Sequence, residues 1–468
     1  MTHPTTPAPA LGFATLALPP AVLANLARLA YLEMTPVQAA TLPITLAGRD
    51  LMAQAKTGSG KTAAFALPLL AGVDARRNET QGLVLCPTRE LADQVTQEVR
   101  RLARAEDNVK VLTLCGGVPL RDQLTSLAHG AHVVVGTPGR VLDHLARQSL
   151  RLDGLRTLVL DEADRMLDMG FADAIRSVVA QCPRERQTLL FSATLSDEVA
   201  ALGAVFMRDP QRVTLASQHA PAQIRQQFYE VKEGERLHAV SKLLNHFRPL
   251  GTLAFCNTRQ QCADLAQVLR AQGFQALALH GDLDQRERDQ VLVRFANRSC
   301  SVLVATDVAS RGLDVERLEA VLNVDIAPDP ETHLHRIGRT GRAGETGLAL
   351  SLASLDEMGS VGRIEKLQGR ETEWHRLDEL TPARSEPLEA PMVTLQIAGG
   401  RKEKIRAGDV LGALTKDAGF AAAMIGKIDV NPFSTYVAVD RRIARDALAR
   451  LDGGKIKGKS VKVRALED

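Results

Sequence analysis

Eight consecutive residues near the N-terminus have the composition and spacing of a loop that binds phosphate groups. The loop consists of Ala55, Lys56, Thr57, Gly58, Ser59, Gly60, Lys61 and Thr62. It lies between a candidate strand (50–54) and a helical segment (63–70). Its glycines let backbone N–H groups curl around phosphate oxygens at a positive helix N-terminus. Lys61 would then reach the terminal phosphates, and the Thr62 hydroxyl can bind Mg²⁺. The strict motif has glycine where this chain has Ala55, but the strand-loop-helix context predicts a nucleoside triphosphate site.

Two adjacent carboxylates, Asp161 and Glu162, end the apolar run 158–160, which is typical of a buried strand. Adjacent side chains of a strand point apart, so each carboxylate can have its own role. We expect Asp161 to hold Mg²⁺ through its water shell, because this cation prefers oxygen ligands. We expect Glu162 to orient or deprotonate the water that attacks the γ-phosphate. Together with the phosphate-binding loop, the pair predicts hydrolysis of a nucleoside triphosphate.

Positively charged residues are concentrated near the C-terminus. Residues 391–468 contain fifteen Lys or Arg against nine Asp or Glu, a net of +6, so the preceding residues carry −3 of the total of +3. Such cations suit contacts with nucleic-acid phosphates, and a solvated charged face is the alternative. The candidate residues are Arg401, Lys402, Lys455, Lys457 and Lys459.

The elements that must position these residues occur in two similar halves. Short apolar runs, each followed by a helical stretch, predict parallel strands that are buried on both faces. They are 83–86, 109–114, 133–135, 158–160 and 189–191, and then 253–255, 276–279, 302–305, 321–324 and 348–352. We therefore predict two tandem doubly wound α/β domains, 1–213 and 221–370, with a polar linker at 217–221.

A third domain is predicted after a tether at 371–391, where the apolar rhythm fails and three prolines occur. Residues 392–468 permit the order strand, helix, strand, strand, helix, strand. The predicted ranges are 393–397, 409–418, 425–430, 436–439, 441–451 and 461–464. This order predicts an α+β domain like the RNA-recognition motif. Residues 431–438 contain Phe433 but no aromatic pair, so base stacking on the sheet is not expected.

The chain of 468 residues is long enough for roughly two to four domains. Its six cysteines lie far apart without a Cys-x-x-Cys pair, which does not favour a zinc site or a disulfide framework. Residues 4–27 are uncharged and rich in Ala and Leu, but no Lys or Arg precedes them and two prolines interrupt them. We therefore expect no signal peptide, no membrane partner and a cytoplasmic location.

The segment Asp161-Glu162-Ala163-Asp164 resembles the motif for which the DEAD-box RNA helicases are named. Further motifs of that family occur in order between residues 13 and 342. They are Phe13 with Gln38, Pro87-Thr88-Arg89-Glu90-Leu91, Gly116-Gly117, Thr137-Pro138-Gly139-Arg140, Ser192-Ala193-Thr194, 305–314 and 335–342. The resemblance implies that both α/β domains are RecA-like and that the chain is an RNA-stimulated ATPase using ATP and Mg²⁺.

In the first domain the resemblance assigns nucleotide, RNA and coupling residues. Gln38 is implied to bind the adenine edge and Phe13 to stack on the base, which favours ATP over GTP. Ser192 and Thr194 are implied to couple hydrolysis to strand separation. The residues implied to hold the RNA backbone are Thr88, Arg89, Gly117, Thr137, Pro138, Gly139 and Arg140.

In the second domain the resemblance implies that Arg339 and Arg342 are catalytic arginine fingers at the γ-phosphate and that Asp314 contacts the ribose. The residues implied to lie near RNA are Arg259, Gly281, Arg286, Thr306 and Arg311. The chain departs from the family at His333, where Tyr is frequent, and at Ala327, where Pro is frequent. Neither departure falls on the assigned chemistry.

This division of residues has a mechanical consequence, because Lys61 and Glu162 belong to one domain and the arginine fingers to the other. Hydrolysis would require the two domains to close. Closure around ATP and RNA could bend one RNA strand so that its duplex partner dissociates. Contacts with phosphates and 2′-OH groups would prefer RNA but select little sequence.

The segments 408–414, 425–428 and 453–459 resemble the C-terminal domain of one bacterial member of the family. That resemblance implies recognition of a 23S rRNA hairpin and local unwinding during assembly of the large ribosomal subunit, with pre-50S particles as partners and a monomeric helicase. Two alternatives remain open. One is an ATP-gated RNA clamp with slow hydrolysis and no productive unwinding, and the other is a DNA translocase.

Overall fold

The computed structural model describes residues 11–55, 58–214, 224–232, 234–310, 318–341, 346–384 and 388–466. The predicted linker 217–221 lies outside the described residues, as do Lys56, Thr57, Arg311, Asp314 and Arg342. The chain divides into two compact units near residue 218. No described helix is long and apolar enough to cross a bilayer.

The first unit contains a parallel sheet. Its described strands are β1 (Leu51–Gln54), β2 (Gly82–Leu85), β3 (Val111–Leu114), β4 (Val133–Gly136), β5 (Thr157–Asp161), β6 (Gln187–Ser192) and β7 (Gln211–Thr214). They are arranged in the order β3-β4-β2-β5-β6-β1-β7, and every pairing is parallel. The carboxyl ends of all these strands therefore lie at one edge of the sheet.

Helices cover both faces of this sheet, which explains the continuous apolar runs of its strands. Val159 packs into one core, and its neighbours Leu158 and Leu160 pack into the core on the opposite face. The described helices are α1 (Pro20–Arg28), α2 (Pro36–Leu46), α3 (Lys61–Ala71), α4 (Arg89–Leu102), α5 (Leu120–Ala128), α6 (Pro138–Ala146), α7 (Ala163–Asp168), α8 (Ala172–Val179) and α9 (Asp197–Phe206). The prediction of a doubly wound domain is confirmed.

The second unit repeats this architecture in its α/β part. The described strands are β8 (Ile224–Glu230), β9 (Thr252–Phe255), β10 (Ala276–Leu279), β11 (Val302–Ala305), β12 (Ala320–Asn323), β13 (Gly347–Ala353) and β14 (Trp374–His375). Their order is β10-β11-β9-β12-β13-β8-β14, again with parallel pairings only. The described helices are α10 (Arg236–Phe247), α11 (Arg259–Ala271), α12 (Gln285–Ala296), α13 (Asp307–Ser310), α14 (Pro330–Ile337) and α15 (Met358–Gln368).

The segment predicted as a tether, 371–391, differs from that expectation. Its strand β14 pairs with β8 at the edge of the second sheet. Leu377 and Leu380 pack against the second core, and Leu388 is buried within it. Ala390 is also buried. Most of the segment is therefore part of the second α/β domain, because a few widely spaced apolar residues anchor an otherwise polar sequence.

The C-terminal domain contains a four-stranded antiparallel sheet. Its strands are β15 (Met392–Ile397), β16 (Ile425–Val430), β17 (Thr435–Asp440) and β18 (Val463–Ala465), in the order β16-β17-β15-β18. Its described helices are α16 (Ala407–Gly412), a π-helical turn (Ala413–Asp417) and α17 (Ala444–Asp452). The predicted order of elements is confirmed, and the predicted helix 409–418 is divided between α16 and the π-helical turn.

Candidate active site and nucleic-acid interfaces

The phosphate-binding loop connects β1 to α3. Gly60 precedes α3 with φ +89°, and Gly58 has φ +79°, a conformation that residues with a Cβ rarely adopt. A Cβ on Gly60 would also lie 2.6 Å from Nε2 of Gln38. Position 60 therefore requires glycine for two reasons, its left-handed backbone conformation and its close approach to Gln38. Lys61 is the first residue of α3 and is buried.

Gln38 holds the loop in place. Its Nε2 donates a hydrogen bond to the carbonyl of Gly60 (3.0 Å), and its Oε1 accepts one from the amide of Thr35 (2.9 Å). Thr35 caps α2, since its hydroxyl accepts from the amide of Gln38. A primary amide has two donors and two acceptor sites, so Gln38 retains capacity for an adenine edge. The structure thus shows a bracing role for Gln38 that the sequence analysis missed.

Phe13 is placed differently from the sequence-based expectation. Only 3% of it is exposed, and its ring packs edge-on against Tyr31, with the ring centroids 6.1 Å apart. A stacking partner of adenine needs an open ring face. As placed here, Phe13 belongs to the core of the first domain, and its stacking on the base stays a prediction.

Lys61 and Asp161 form the centre of the candidate active site. Strand β1, which leads into the phosphate-binding loop before Lys61, and strand β5, which ends at Asp161, are separated only by β6. Nζ of Lys61 lies 3.7 Å from Oδ1 of Asp161. Both atoms are buried, and neither has a hydrogen-bond partner among the described residues. Burial raises the pKa of Asp161 to about 6, although the charge of Lys61 acts in the opposite direction.

These unsatisfied atoms fit a nucleotide with Mg²⁺. A buried ammonium without a hydrogen-bond partner is suited to phosphate oxygens, and a buried carboxylate oxygen is suited to a hydrated cation. Thr62 follows Lys61 in the first turn of α3, where its hydroxyl is the other oxygen ligand suggested by the motif. The residues present can therefore hold both groups.

Glu162 has an unusual backbone conformation, with φ +55° and ψ +54°, immediately before α7. A left-handed conformation at a non-glycine residue is costly and is often found at functional sites. Its carboxylate is buried and forms an ion pair with Arg165, with 3.0 Å between Oε2 and Nη1. The sharp turn directs Glu162 and Asp161 differently, as their separate predicted roles require.

Asp164 connects the DEAD segment to the Ser192-Ala193-Thr194 segment. Its Oδ2 accepts hydrogen bonds from the amides of Ala193 (3.1 Å) and Thr194 (3.0 Å) and from the Thr194 hydroxyl (3.2 Å). The Ser192 hydroxyl accepts from the amide of Asp164 (3.3 Å). The sequence analysis gave Asp164 no role, because these contacts depend on the pairing of β5 with β6.

The residues expected to contact RNA in the first domain follow β2, β3 and β4, on the other half of the same sheet edge. Thr88 caps α4, since its hydroxyl accepts from the amide of Leu91 (3.3 Å). Gly117 has φ +72°. Thr137 and Pro138 begin α6, and a Cβ on Gly139 would meet nothing within 4 Å. The structure thus collects these residues at one edge of the sheet.

Two arginines of this group make contacts within the domain. Arg140 donates to the carbonyl of Val118 (3.1 Å) and to Oε1 of Gln123 (3.0 Å). Arg89 forms an ion pair with Asp93, at 3.6 Å. Because a guanidinium has five N–H donors, such contacts position it without using its full capacity.

In the second domain Arg336 is a structural anchor that the sequence analysis did not single out. It is almost completely buried and donates twice to the carboxylate of Asp307, at 2.8 and 2.7 Å. It also donates to the carbonyl of Asp325 (2.7 Å) and to Oδ1 of Asn257 (3.0 Å). These bonds fix α14 against the ends of β9, β11 and β12.

The predicted site residues of the second domain lie close to this anchor in the chain or at the carboxyl edge of the sheet. Arg339 is buried just after α14, and its amide donates to the carbonyl of Arg336 (3.1 Å). Thr306 follows β11, and its hydroxyl accepts from the amide of Ala309 (3.4 Å). Arg259 begins α11 and pairs with Asp282. Gly281 and Arg286 are exposed.

The C-terminal domain brings its two predicted basic segments together. Nζ of Lys457 donates to the carbonyl of Lys404 (2.9 Å), and Nζ of Lys459 lies 3.4 Å from the carbonyl of Glu403, to which it donates. Lys457 also forms an ion pair with Asp409, at 3.7 Å. We call the resulting patch the basic surface. It consists of Arg401, Lys402, Lys455, Lys457 and Lys459, all of which are exposed.

An aromatic ring adjoins this surface. Phe433 is 64% exposed, and Nζ of Lys402 lies 4.1 Å from the centre of its ring. Phe433 lies in the turn between β16 and β17, not on the face of the sheet. An exposed aromatic ring beside cations is suited to stacking on an unpaired base. The sequence analysis noted Phe433 but could not place it beside Lys402.

Three family models match the chain. They are described as "DEAD/DEAH box helicase" (residues 35–202), "Helicase conserved C-terminal domain" (235–344) and "DbpA RNA binding domain" (394–465). The chain is 54% identical to the ATP-dependent RNA helicase DbpA of Escherichia coli K12, over 97% of this chain and 99% of that protein. It is 40% identical to the ATP-dependent RNA helicase CshA of Listeria monocytogenes, over 83% of this chain and 72% of that protein.

Solved structures give the same result. Saccharomyces cerevisiae Dbp5 bound to RNA and ADP BeF3 is 30% identical, covers 79% of this chain and 97% of its own, and superposes with a TM-score of 0.73. The chain therefore belongs to the DEAD-box family of ATP-dependent RNA helicases. Within that family it is of the DbpA type, with the corresponding RNA-binding domain at its C-terminus.

Proposed function

We propose that this helicase binds a hairpin of 23S rRNA through its C-terminal domain and unwinds nearby duplexes on pre-50S particles. The supporting observation is the basic surface, which lies in the domain matched by the DbpA RNA-binding model. In this proposal the protein acts as a monomer in the cytoplasm, with helicase domains at 1–213 and 221–370, the second extended by most of 371–391, and an RNA-binding domain at 392–468.

ATP hydrolysis is assigned to the candidate active site of the first domain. Lys61 and the loop residues 55–62 bind the phosphates, and Gln38 binds the adenine edge while it braces Gly60. Asp161 and Thr62 hold Mg²⁺, which when bound neutralises charge on the phosphates. Glu162 orients the attacking water and accepts its proton. The buried, unsatisfied atoms of Lys61 and Asp161 support this assignment.

Arg339 and Arg342 are proposed to stabilise the charge that develops on the γ-phosphate, and Asp314 to bind the ribose. The backbone of the single-stranded RNA is assigned to the carboxyl edges of the two parallel sheets. The residues are Thr88, Arg89, Gly117, Thr137, Pro138, Gly139, Arg140, Arg259, Gly281, Arg286, Thr306 and Arg311. Ser192 and Thr194 transmit the state of the nucleotide through Asp164.

The proposal is tested with the full chain, by measuring ATP turnover and displacement of a short paired strand together. One RNA is a 23S rRNA fragment that contains the hairpin, and the control is a duplex of equal length with the hairpin sequence scrambled. We expect stronger stimulation and displacement with the rRNA fragment. Equal responses to both RNAs would refute the rRNA assignment.

The same measurement separates the alternatives. Stimulated turnover without strand displacement would indicate an ATP-gated clamp. Comparable stimulation by a DNA of the same sequence would indicate a DNA translocase, because 2′-OH contacts would then be irrelevant.

A further inference from the structure

A cleft lies within the second unit, where the second α/β domain meets the C-terminal domain. It has a volume of about 330 Å³ and is open to solvent. One wall is formed by the end of α11 and by residues of and after α12, and the other by β15 and Arg441. Arg270, Arg294 and Arg441 line it, and the described lining residues include no carboxylate. The cleft is therefore strongly basic.

A second cleft of about 510 Å³ continues the first one along the C-terminal domain. The two share Val393 and Arg441, and the second adds Arg442 and Arg445. Asp446 also lines it. Arg442 already donates two hydrogen bonds to the carboxylate of Asp440, at 2.9 and 2.6 Å. Arg441 thus lies where the two clefts join, and Asp440 and Asp446 offset part of the positive charge of the second cleft.

Buried hydrogen bonds hold the walls of the first cleft together. The hydroxyls of Ser299 and Thr394 are 2.6 Å apart, and Nδ2 of Asn297 donates to the same Thr394 hydroxyl (3.2 Å). The amide of Ala390 donates to Oε1 of Gln275 (2.7 Å). If the two domains moved apart, these donors and acceptors would lose their partners, which costs free energy. The cleft is therefore formed by a fixed junction.

Arg441 and Arg270 are each oriented by a hydrogen bond to a backbone carbonyl. Nε of Arg441 donates to the carbonyl of Ala390 (2.6 Å), and Nη1 of Arg270 donates to the carbonyl of Ala276 (3.2 Å). Each guanidinium has five N–H donors in a planar fork, which matches the geometry of a phosphate group. One orienting bond for each guanidinium thus uses only a small part of its donor capacity.

We infer that this cleft binds backbone phosphates of the RNA that the C-terminal domain recognises. The inference rests on the proposed function, because that function supplies an RNA at the C-terminal domain. In the first cleft a polyanion meets several arginines and no carboxylate among the described lining residues. The second cleft, which also contains Asp446, extends the path for further phosphates. The RNA would then be held by both domains of the second unit at once.

The test measures the affinity of the full chain for the 23S rRNA fragment at several salt concentrations. Each phosphate contact contributes about 0.7 to 0.9 to the slope of log affinity against log salt. We expect Arg270→Gln and Arg441→Gln each to reduce the slope by about that amount. Arg450→Gln, an exposed arginine on α17 that lines neither cleft, is the matched control and should leave the slope unchanged.

The outcomes are distinguishable. If the parental chain prefers the rRNA fragment but Arg270→Gln and Arg441→Gln keep the parental slope, the cleft assignment is overturned and the proposed function stands. If the parental chain shows no preference for the fragment, the proposed function fails, and the same slopes measured on the scrambled RNA still decide whether the cleft binds phosphates.

Arg270→Gln shows whether a change in slope results from loss of charge or from loosening of the junction. The described side-chain hydrogen bond of Arg270 is to a carbonyl of the second α/β domain, so this substitution breaks no described bond across the junction. A binding measurement with inorganic triphosphate tests whether the ligand of the cleft is a small polyphosphate and not RNA. If triphosphate binds the RNA-free parental chain and Arg270→Gln abolishes this binding, the cleft serves a small anion and the RNA assignment is wrong.

Discussion

The hydroxyl and the amide of Thr194 both donate to one carboxylate oxygen of Asp164, at 3.2 and 3.0 Å. This relationship ties the last residue of the DEAD segment to the segment assigned to coupling. A change in the position of Asp161 or Glu162 would reach Thr194 along the backbone to Asp164 and then through these two hydrogen bonds. We therefore predict that this contact links the candidate ATP site to the segment proposed to couple hydrolysis to strand separation.

Replacing the Thr194 hydroxyl should uncouple the two activities. Thr194→Val removes one hydrogen bond to Asp164 and retains the side-chain shape and the amide bond. We expect strand displacement per ATP hydrolysed to fall several-fold, with RNA-stimulated turnover less affected. Thr188→Val is the control, because Thr188 lies on β6, the strand that precedes Thr194, and its hydroxyl has no hydrogen-bond partner among the described residues. Equal effects of both variants would contradict the coupling role.

Binding and hydrolysis of ATP should be separable by two substitutions in the candidate active site. Lys61→Ala removes a buried positive charge that is proposed to bind the phosphates. We expect it to weaken ATP binding about 10- to 100-fold, which corresponds to the free energy of a hydrogen bond to a charged group. Glu162→Gln keeps the shape and should retain ATP binding but slow hydrolysis about 10²- to 10⁴-fold, the usual contribution of a general base. Equilibrium binding and single-turnover hydrolysis measure the two effects. Hydrolysis by Glu162→Gln at the parental rate would refute its role.

The sequence predicts the strands of the sheets well, but it does not predict the hydrogen bonds that orient the site residues. Strands such as β4, with its run of valines, are buried on both faces, and this leaves a clear apolar run in the sequence. The bond from Gln38 to Gly60 leaves no such pattern, because it joins residues that only the fold brings together. Motif residues could therefore be located, while the partners that orient them could not.

The segment predicted as a tether shows the opposite difficulty, because its sequence pattern predicts a linker where the structure has packed residues. Residues 371–391 are rich in charge and proline, yet Leu388 is buried in the second core and β14 extends the second sheet. Single apolar residues at irregular spacing carry no helical or strand periodicity, so the pattern alone favours a linker. Edge strands of two residues are similarly invisible in the sequence.

His333 should make the second domain sensitive to acid. Its ring is fully buried, neither ring nitrogen has a hydrogen-bond partner among the described residues, and burial lowers its pKa to about 4. The unfolded chain binds a proton near pH 6.5 and the folded one only near pH 4, so stability is lost as the pH falls between these values. From pH 7 to pH 5 this loss amounts to about 2 kcal/mol.

His333→Phe should remove this dependence, because Phe cannot titrate and keeps a ring beside Phe228, whose centroid is 5.9 Å from that of His333. Urea unfolding at pH 7 and pH 5 measures the difference. The variant should lose about 2 kcal/mol less than the parent over this interval. His238→Gln, at an exposed histidine of α10, should leave the parental dependence unchanged. The same loss in His333→Phe as in the parent would show that other groups cause the sensitivity.

The basic surface should account for much of the salt dependence of RNA binding by the C-terminal domain. Replacing Lys455, Lys457 and Lys459 together by Gln should reduce the slope of log affinity against log salt by up to about three, one for each lysine that no longer pairs with a phosphate. The three lysines differ in their surroundings. Lys457 and Lys459 hold the turn against the 403–404 carbonyls, whereas Lys455 is exposed and has no such bond in the described structure.

The single variants therefore separate charge from structure. Lys455→Gln should reduce the slope by about 0.7 to 0.9 without changing stability, because it removes only a charge. Lys457→Gln should reduce the slope and also loosen the turn, since the ammonium bridges the Lys404 carbonyl and the Asp409 carboxylate. Lys416→Gln removes an equal charge from an exposed position of the π-helical turn and serves as the control. If Lys416→Gln reduces the slope as much as Lys455→Gln, the RNA responds to the net charge of the domain and the basic surface is not its binding site.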